Sequence, residues 1–375
     1  MSLIWTQKLS RRRFAQRSMY AGITSFCIPS TEAQRTKDEA KGSIHLAKQF
    51  KNAIFLAASP DGEKLCLGFS SPGSEWPLWR VDVIETGSWR TIYSAKLQGL
   101  DMYASFFTSS QALCIDTTVP KSTTLIIDLR TGRLEKQTPA SLNNWALDDG
   151  ILLGEDRDGS LIRFNVPGYK ELFRVPGPGL EPLSIVVSDD RQRFIRGLGR
   201  EDYSVVCYRS ADLERLWVHR IDIPGARWEA LHNFKGSIKT AISADGRVVA
   251  VAAVDTAEWA AQQRFFVAVL NGEDGEEMNR LPINGDQGLA ISPNGKLLAI
   301  GRRIPTGQDI DLLVEVYDIA SGRLVATATH YRVPPGRFQQ ASALFTVGRG
   351  ITFTPDGRYL VTSANGEWVR IWQLG

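Results

Sequence analysis

The 375-residue chain predicts an all-β fold: seven repeats of one four-stranded antiparallel sheet, closed into a ring. Three observations carry this. First, segments 241–250 (AISADGRVVA), 290–299 (AISPNGKLLA) and 351–361 (ITFTPDGRYLV) nearly superpose, each a short apolar strand, a turn and a second apolar strand. Asp-Gly and Asn-Gly between hydrophobic runs are strong hairpin signals, because both residues tolerate positive φ. Second, the turn recurs near 61, 110, 149, 190, 245, 294 and 356, at spacings of 49, 39, 41, 55, 49 and 62 residues. These bracket the ~40–45 residues of a four-stranded repeat, with insertions in some copies. Third, runs such as 247–254 (RVVAVAAV) are almost continuously apolar, as strands covered on both faces must be.

Taken in chain order, residues 1–33 stand apart from the repeats. Ser10, Arg11, Arg12 and Phe14 lie in SRRRFAQ, which resembles the S-R-R-x-F-L-K box of bacterial twin-arginine signal peptides, with Ala15 and Gln16 departing from it. A modest apolar region over 19–28 and the small-residue pattern Thr31-Glu32-Ala33 follow, as a cleavage site requires. The resemblance implies export of an already folded protein, hence a periplasmic or other extracytoplasmic location. The alternative reading is a basic tail on a cytoplasmic protein. The charge-free stretch 18–31 is too short and too polar to span a bilayer. Residues 34–42 read as a polar spacer before a domain spanning 43–375.

The first repeat opens at 55–67 (FLAASPDGEKLCL), and weaker copies turn at Ser109-Ser110, Asp149-Gly150 and Asp189-Asp190. The second half of a repeat is clearest at 312–326 (LLVEVYDIASGRLVA), a strand, a Ser-Gly turn and a last strand, with similar halves at 79–87, 125–134 and 369–374. The final repeat supplies three strands, 351–353, 359–363 and 368–373, before Gly375. Segment 43–50 (SIHLAKQF) supplies the missing fourth and latches the circle. The count is seven, with six and eight left open by the weak copies at 110 and 149.

From about Gly42 onward the pattern SPDG…LLA…V-x-VYD…SGRL resembles a WD40-type β-propeller, which implies a seven-bladed ring of four-stranded antiparallel blades. The match to WD40 proper is partial. The Gly-His dipeptide is missing and Trp-Asp stands as Tyr317-Asp318 or Trp372-Gln373, which leaves that family's hydrogen-bonded His network open here.

Composition narrows the function classes. With 43% hydrophobic residues the chain buries a real core, and 44 basic against 41 acidic residues give no field of the kind a nucleic-acid binder needs. The excess of +3 belongs to residues 1–33, whose five bases and one acid carry +4, leaving the domain near neutral. Four Cys and four His, widely scattered, exclude a zinc module, a haem attachment and a disulfide framework.

No nucleophile or metal constellation has useful spacing, so no cofactor or metal is assigned. His45, His219, His232 and His330 fall on different repeats and read as surface or strand-end residues. Cys66 and Cys114 occupy corresponding strand positions and read, with Cys207, as buried thiols. A Cys66–Cys114 bridge is out of reach for blades stacked ~10 Å apart. Segment 175–180 (VPGPGL) lacks the strand-to-helix context of a phosphate loop. By resemblance, some propeller enzymes hold Ca²⁺ in the central channel, and Asp101, Asn143, Asn144, Glu181 and Asp286 precede first strands near a channel mouth.

Insertions point to a binding face. Segments 70–77, 255–264 and 302–310 read as second-to-third-strand loops, and 222–236 and 331–349 as links between blades, so all five emerge on one face. They carry Trp76, Trp228, Trp259, Arg302, Arg303, Arg332, Arg337 and Phe338, residue types that dominate protein interfaces. The tryptophans either anchor a protein partner or tuck their own loops onto the ring. The first expectation is an exported, non-catalytic scaffold that binds a protein partner and no nucleic acid, with no transmembrane helix in the mature chain. The alternative, by resemblance to lactonases and to the large subunits of quinoprotein amine dehydrogenases, is an enzyme with its site at the channel.

Overall fold

A sheet that is apolar on both sides must be covered twice, and the computed structural model shows seven such sheets covering one another in a ring. It describes residues 44–71, 78–98, 102–117, 123–139, 143–156, 159–166, 170–177, 182–198, 204–221, 239–255, 264–282, 288–306, 309–333, 350–364 and 368–374. Among these every regular element is a strand. No helix among them is long and apolar enough to cross a membrane. The signal-peptide motif at Ser10, Arg11, Arg12 and Phe14 and the spacer lie outside the described residues.

Strand β1 (Ile44–Lys51) precedes the first blade, whose strands β2 to β5 are Ala53–Ala58, Lys64–Ser71, Leu78–Glu85 and Thr91–Gln98. Blade 2 holds β6 to β9, at Met102–Phe106, Ala112–Thr117, Thr123–Asp128 and Arg133–Pro139. Blade 3 holds β10 to β13, at Asn143–Asp148, Ile151–Glu155, Leu161–Asn165 and Lys170–Val175. Blade 4 holds β14 to β17, at Pro182–Val187, Arg193–Leu198, Ser204–Arg209 and Arg215–Arg220. Blade 5 holds β18 to β21, at Lys239–Ile242, Val248–Asp255, Arg264–Asn271 and Glu277–Leu281. Blade 6 holds β22 to β25, at Leu289–Ile291, Leu297–Thr306, Asp309–Asp318 and Leu324–Val333. Blade 7 combines β26 (Ile351–Phe353), β27 (Tyr359–Ala364) and β28 (Trp368–Leu374) with β1, in the order β1-β28-β27-β26. Seven blades of four strands settle the count, and the latch is the N-terminal strand, paired antiparallel from Ile44↔Leu374 to Lys51↔Trp368.

The first strands of neighbouring blades approach one another, so they form the inner wall of the ring, and the fourth strands form its exposed rim. There is no central core. The buried apolar residues fall into seven clusters, each filling the seam between two successive blades. Ile54, Val81 and Val83 meet Met102, Leu113 and Ile127 between blades 1 and 2. Ala53, Phe55 and Leu67 meet Val361, Val369 and Ile371 between blades 1 and 7. Alternation within a strand divides it between seams: Leu298 and Ile300 face blade 5, whereas Ala299 faces blade 7. At roughly 25 cal/mol per Å² of apolar surface, each seam is a major share of stability, and no blade holds its share alone.

One end of the ring is uniform. In blades 1, 4, 5, 6 and 7 its first-to-second-strand turns repeat a hydrogen-bonded unit, in which the hydroxyl of Ser188, Ser243 or Thr354 donates to the carboxylate two residues on, at 2.6, 2.7 and 2.6 Å, whereas the turns of blades 2 and 3 lack that hydroxyl. Ser292 bonds the Asn294 amide oxygen likewise at 2.7 Å. The same hydroxyl accepts the amide five residues on, as from Val248 to Ser243 at 3.0 Å. Gly62, Gly246, Gly295 and Gly357 follow the acid or Asn at φ of 69° to 72°. Blades 2 and 4 place Ser110 (φ 56°) and Arg191 (φ 59°) there, at a strain cost of about 1 kcal/mol each. That is why their copies of the pattern look weak, and the turn in blade 4 centres on Asp190-Arg191 rather than Asp189-Asp190.

Removing residues 43–50 takes the outer strand from blade 7 and uncovers β28. The shortened chain is expected to melt about 10 °C lower in a calorimetric scan, at roughly 2 °C per kcal/mol for a domain of this size. An unchanged melting temperature would place the latch elsewhere.

Candidate functional site

The second-to-third-strand connections and the blade-to-blade links leave from the end of the ring opposite the uniform turns, because each blade is antiparallel throughout. At this end the connections 118–122, 156–160, 199–203 and 365–367 are short. Length concentrates around blades 5 and 6, in the links 221–238 and 334–350 and the connection 256–263. Trp76, Trp228, Trp259, Arg337 and Phe338 lie outside the described residues, on these connections and on 72–77.

Blade 6 departs from the expected loop. Segment 302–310 continues β23 and β24 as a paired hairpin from Arg302↔Leu313 to Thr306↔Asp309. Pro305, a strand breaker in most settings, is tolerated because β22 pairs only with Leu298 to Ile300, which leaves β23 an edge strand beyond that point. Tyr331 and Arg332 are likewise strand residues, paired with Leu312 and Asp311, rather than part of a link. The side chain of Arg303 lies outside what is described.

Two ion pairs brace this extension, of which Arg332–Asp311 is bidentate. Arg302 Nη1 donates to both Glu315 oxygens at 3.0 and 2.9 Å, and the Tyr317 hydroxyl donates to the same carboxylate at 2.5 Å. Tyr317, Glu315 and Arg302 thus cap the apolar column of Leu298 and Ile300. Burial, then the Glu315 carboxylate, pushes the Tyr317 phenol up from its ordinary value. Arg332 binds Asp311 through Nε at 2.7 Å and Nη2 at 3.1 Å. Arg302 is therefore a strut, its side chain 26% exposed, whereas Arg332 at 62% presents a guanidinium edge at the surface.

His330 corrects the expectation of a surface histidine. It is fully buried, at a bulge in β25 between the Leu313↔Thr329 and Leu312↔Tyr331 pairs. The bulge turns it into the seam between blades 6 and 7, where Nδ1 lies 2.7 Å from Thr362 Oγ1 and Trp372 Nε1 donates to that hydroxyl at 2.8 Å. Burial, reinforced by the Arg370 charge, drops the His330 pKa to about 3. In the seam between blades 3 and 4, Glu155 meets Arg196 at 2.7 Å, both buried. Burial outweighs the pull of Arg196 and raises the Glu155 carboxyl to about 7. Neither group carried a sequence signal.

Arg191 stands where four blades have Gly in the same turn, and its Nη2 reaches the Phe106 carbonyl of blade 2 at 3.4 Å. It lies across the inner rim at the uniform end. Cys66, Cys114 and Cys207 are buried free thiols. Burial raises all three, Cys207 to about 12, so they pack as small apolar groups. Among the described residues no three His, Cys, Asp or Glu side chains gather to hold a metal. Asp101, Glu181 and Asp286 lie outside these residues. Asn143 and Asn144 open β10 on the inner wall, with side chains not described. No protein-family model and no curated protein matches the chain.

The two shifted groups oppose each other in pH. His330, depressed from 6.5 to about 3, contributes stability that is present above pH 6.5 and lost on acidification. Glu155, raised from 4.5 to about 7, contributes stability that is present below pH 4.5 and lost as pH rises through 7. Urea midpoints between pH 7 and 5 should therefore separate the variants. Glu155→Gln loses more stability on acidification than the native chain, and His330→Gln avoids a loss of about 2 kcal/mol. Parallel curves for all three would refute both assignments.

Proposed function

We propose that the protein is an exported, non-catalytic WD40-like propeller that binds a protein partner through the loop-rich end of the ring, centred on blades 5 and 6. The observation that carries this reading is the concentration of long connections there, beside strands of blade 6 that run beyond the ring. A uniform scaffold with one elaborated sector is the form expected where loops carry recognition. Trp228, Trp259, Arg337 and Phe338 fall on those connections, and Trp76 on the corresponding connection of blade 1. Arg332 adds an exposed guanidinium already oriented by Asp311, and Trp and Arg supply most hot-spot energy in protein interfaces. The buried His330, hydrogen-bonded to Thr362, whose hydroxyl also accepts from Trp372, supports the WD40-like part of the reading, since that family carries a hydrogen-bonded His network.

Quantitative capture from a periplasmic extract tests the face. Replacing 256–263 by a Gly-Ser linker of equal length, or Arg332 by Ala, is expected to lower recovery of a partner about tenfold for a hot-spot loss of 1–2 kcal/mol. Lys296→Ser, at the uniform end, retains it. Equal recovery from all variants rejects the assignment.

Export rests on Ser10, Arg11, Arg12 and Phe14. Converting Arg11 and Arg12 together to Lys should hold the protein in the cytoplasm. Undiminished periplasmic recovery would overturn export without touching the binding face.

A further inference from the structure

Half of the described buried or half-buried arginines bind an acid: Arg193 binds Glu273, Arg196 binds Glu155, and Arg302 binds Glu315. Arg370 does not. It lies in β28, half-buried in the seam between blades 6 and 7, where Nη1 donates to the Thr329 carbonyl at 3.1 Å. Its Nε is buried without a hydrogen-bond acceptor. Among the described residues no carboxylate pairs with it. Burial pulls its pKa down, and its charge helps to hold His330 neutral.

A second cation stands beside it. Lys51, the last residue of β1, is the register partner of Trp368, and its Nζ lies 5.9 Å from the centre of that ring. The Arg370 guanidinium carbon lies 5.7 Å from the same ring, two residues along the same strand and on the same side of the sheet. Lys51 has no carboxylate partner among the described residues either. Trp368 begins β28 and Lys51 ends β1, so the group sits at the loop-rich end of the ring.

A partly desolvated guanidinium with no carboxylate among the described residues is costly, and the cation–π contacts offset only part of that cost. Arg offers five donors in a planar fork, of which one is used here within the described protein. Two cations that have no carboxylate partner among the described residues and flank an indole have the chemistry of an oxyanion site with an apolar or planar wall.

We propose that Lys51, Trp368 and Arg370 form a binding site for the oxyanion group of a small ligand, a phosphate or a carboxylate, with the Trp368 ring covering the ligand's body. The site is independent of whether the loop-rich end takes a protein. Arg370 supplies the guanidinium donors that are not spent on the Thr329 carbonyl. Lys51, exposed, supplies the second charge. Closure of the ring by β1 is what brings Lys51 to Trp368, so the site exists only in the latched blade.

Thermal melts of the full chain in sodium phosphate and in sodium acetate, each against sodium chloride at matched ionic strength, test it. At least one oxyanion is expected to raise the melting temperature by about 2 °C or more at about 50 mM, with saturation. A response to phosphate alone identifies a phosphate ligand, and a response to acetate a carboxylate. Lys51→Gln, at an exposed position that leaves the fold intact, and Arg370→Gln each reduce the rise, and the double variant abolishes it. No rise beyond chloride in either salt, or an undiminished rise in the double variant, overturns the proposal.

Discussion

Every blade of this protein depends on its neighbours to cover it. Each four-stranded sheet presents apolar side chains on both faces, and the seven buried clusters are all shared between two blades. An open row of such sheets would leave two apolar faces in water, and only a closed ring leaves none. Closure is therefore the condition on which the rest stands. The pairing of β1 with β28 joins the two ends of the described chain within one sheet. The amide of Phe55, bonded to Ser363 Oγ at 3.2 Å, ties the first blade to the seventh as well.

With the seams occupied by packing, polar chemistry is confined to their ends. The apolar column of blade 6 finishes in Tyr317, Glu315 and Arg302, and the seam between blades 6 and 7 finishes in His330, Thr362 and Arg370. At the uniform end the hydroxyl–carboxylate turns leave little room for variation. Burial opposes ionisation of Asp61, yet the Ser59 hydroxyl, the Glu63 amide and Lys64 hold its carboxyl below the usual range. The opposite end has no such repeated lock, so connections there vary in length without disturbing the sheets.

Much of the fold was legible because hairpin chemistry is local. Asp-Gly and Asn-Gly turns announced blades 1, 5, 6 and 7, and the missing fourth strand of the last repeat pointed to 43–50, close to the observed Ile44–Lys51. Blades 2 and 4 were fainter because Ser110 and Arg191 hold the left-handed position without glycine. The candidate face was legible as a direction, since strand order assigns each connection to an end. Its details were not. Segment 302–310 reads as a loop from its extra length, and the pairs that brace its neighbourhood, Arg302 with Glu315 and Arg332 with Asp311, join residues 13 and 21 positions apart. A Pro on an edge strand breaks no ladder, but only the shortness of β22 makes that strand an edge.

By itself the sequence determined the strand-turn-strand repeat and the identity of the latch, while the choice of seven blades over six or eight fell to the structure. Those depend on which residues tolerate positive φ and which runs are apolar, and both are properties of neighbours in the chain. The tertiary structure alone decided that His330 is buried, that Glu155 meets Arg196 and that Arg370 has no acid among the described residues. Partners such as Glu155 and Arg196, or His330 and Thr362, sit on different blades, and the bulge that turns His330 inward has no local signature. Charge pairing and desolvation are set by what the ring brings face to face, and no spacing along the chain records it.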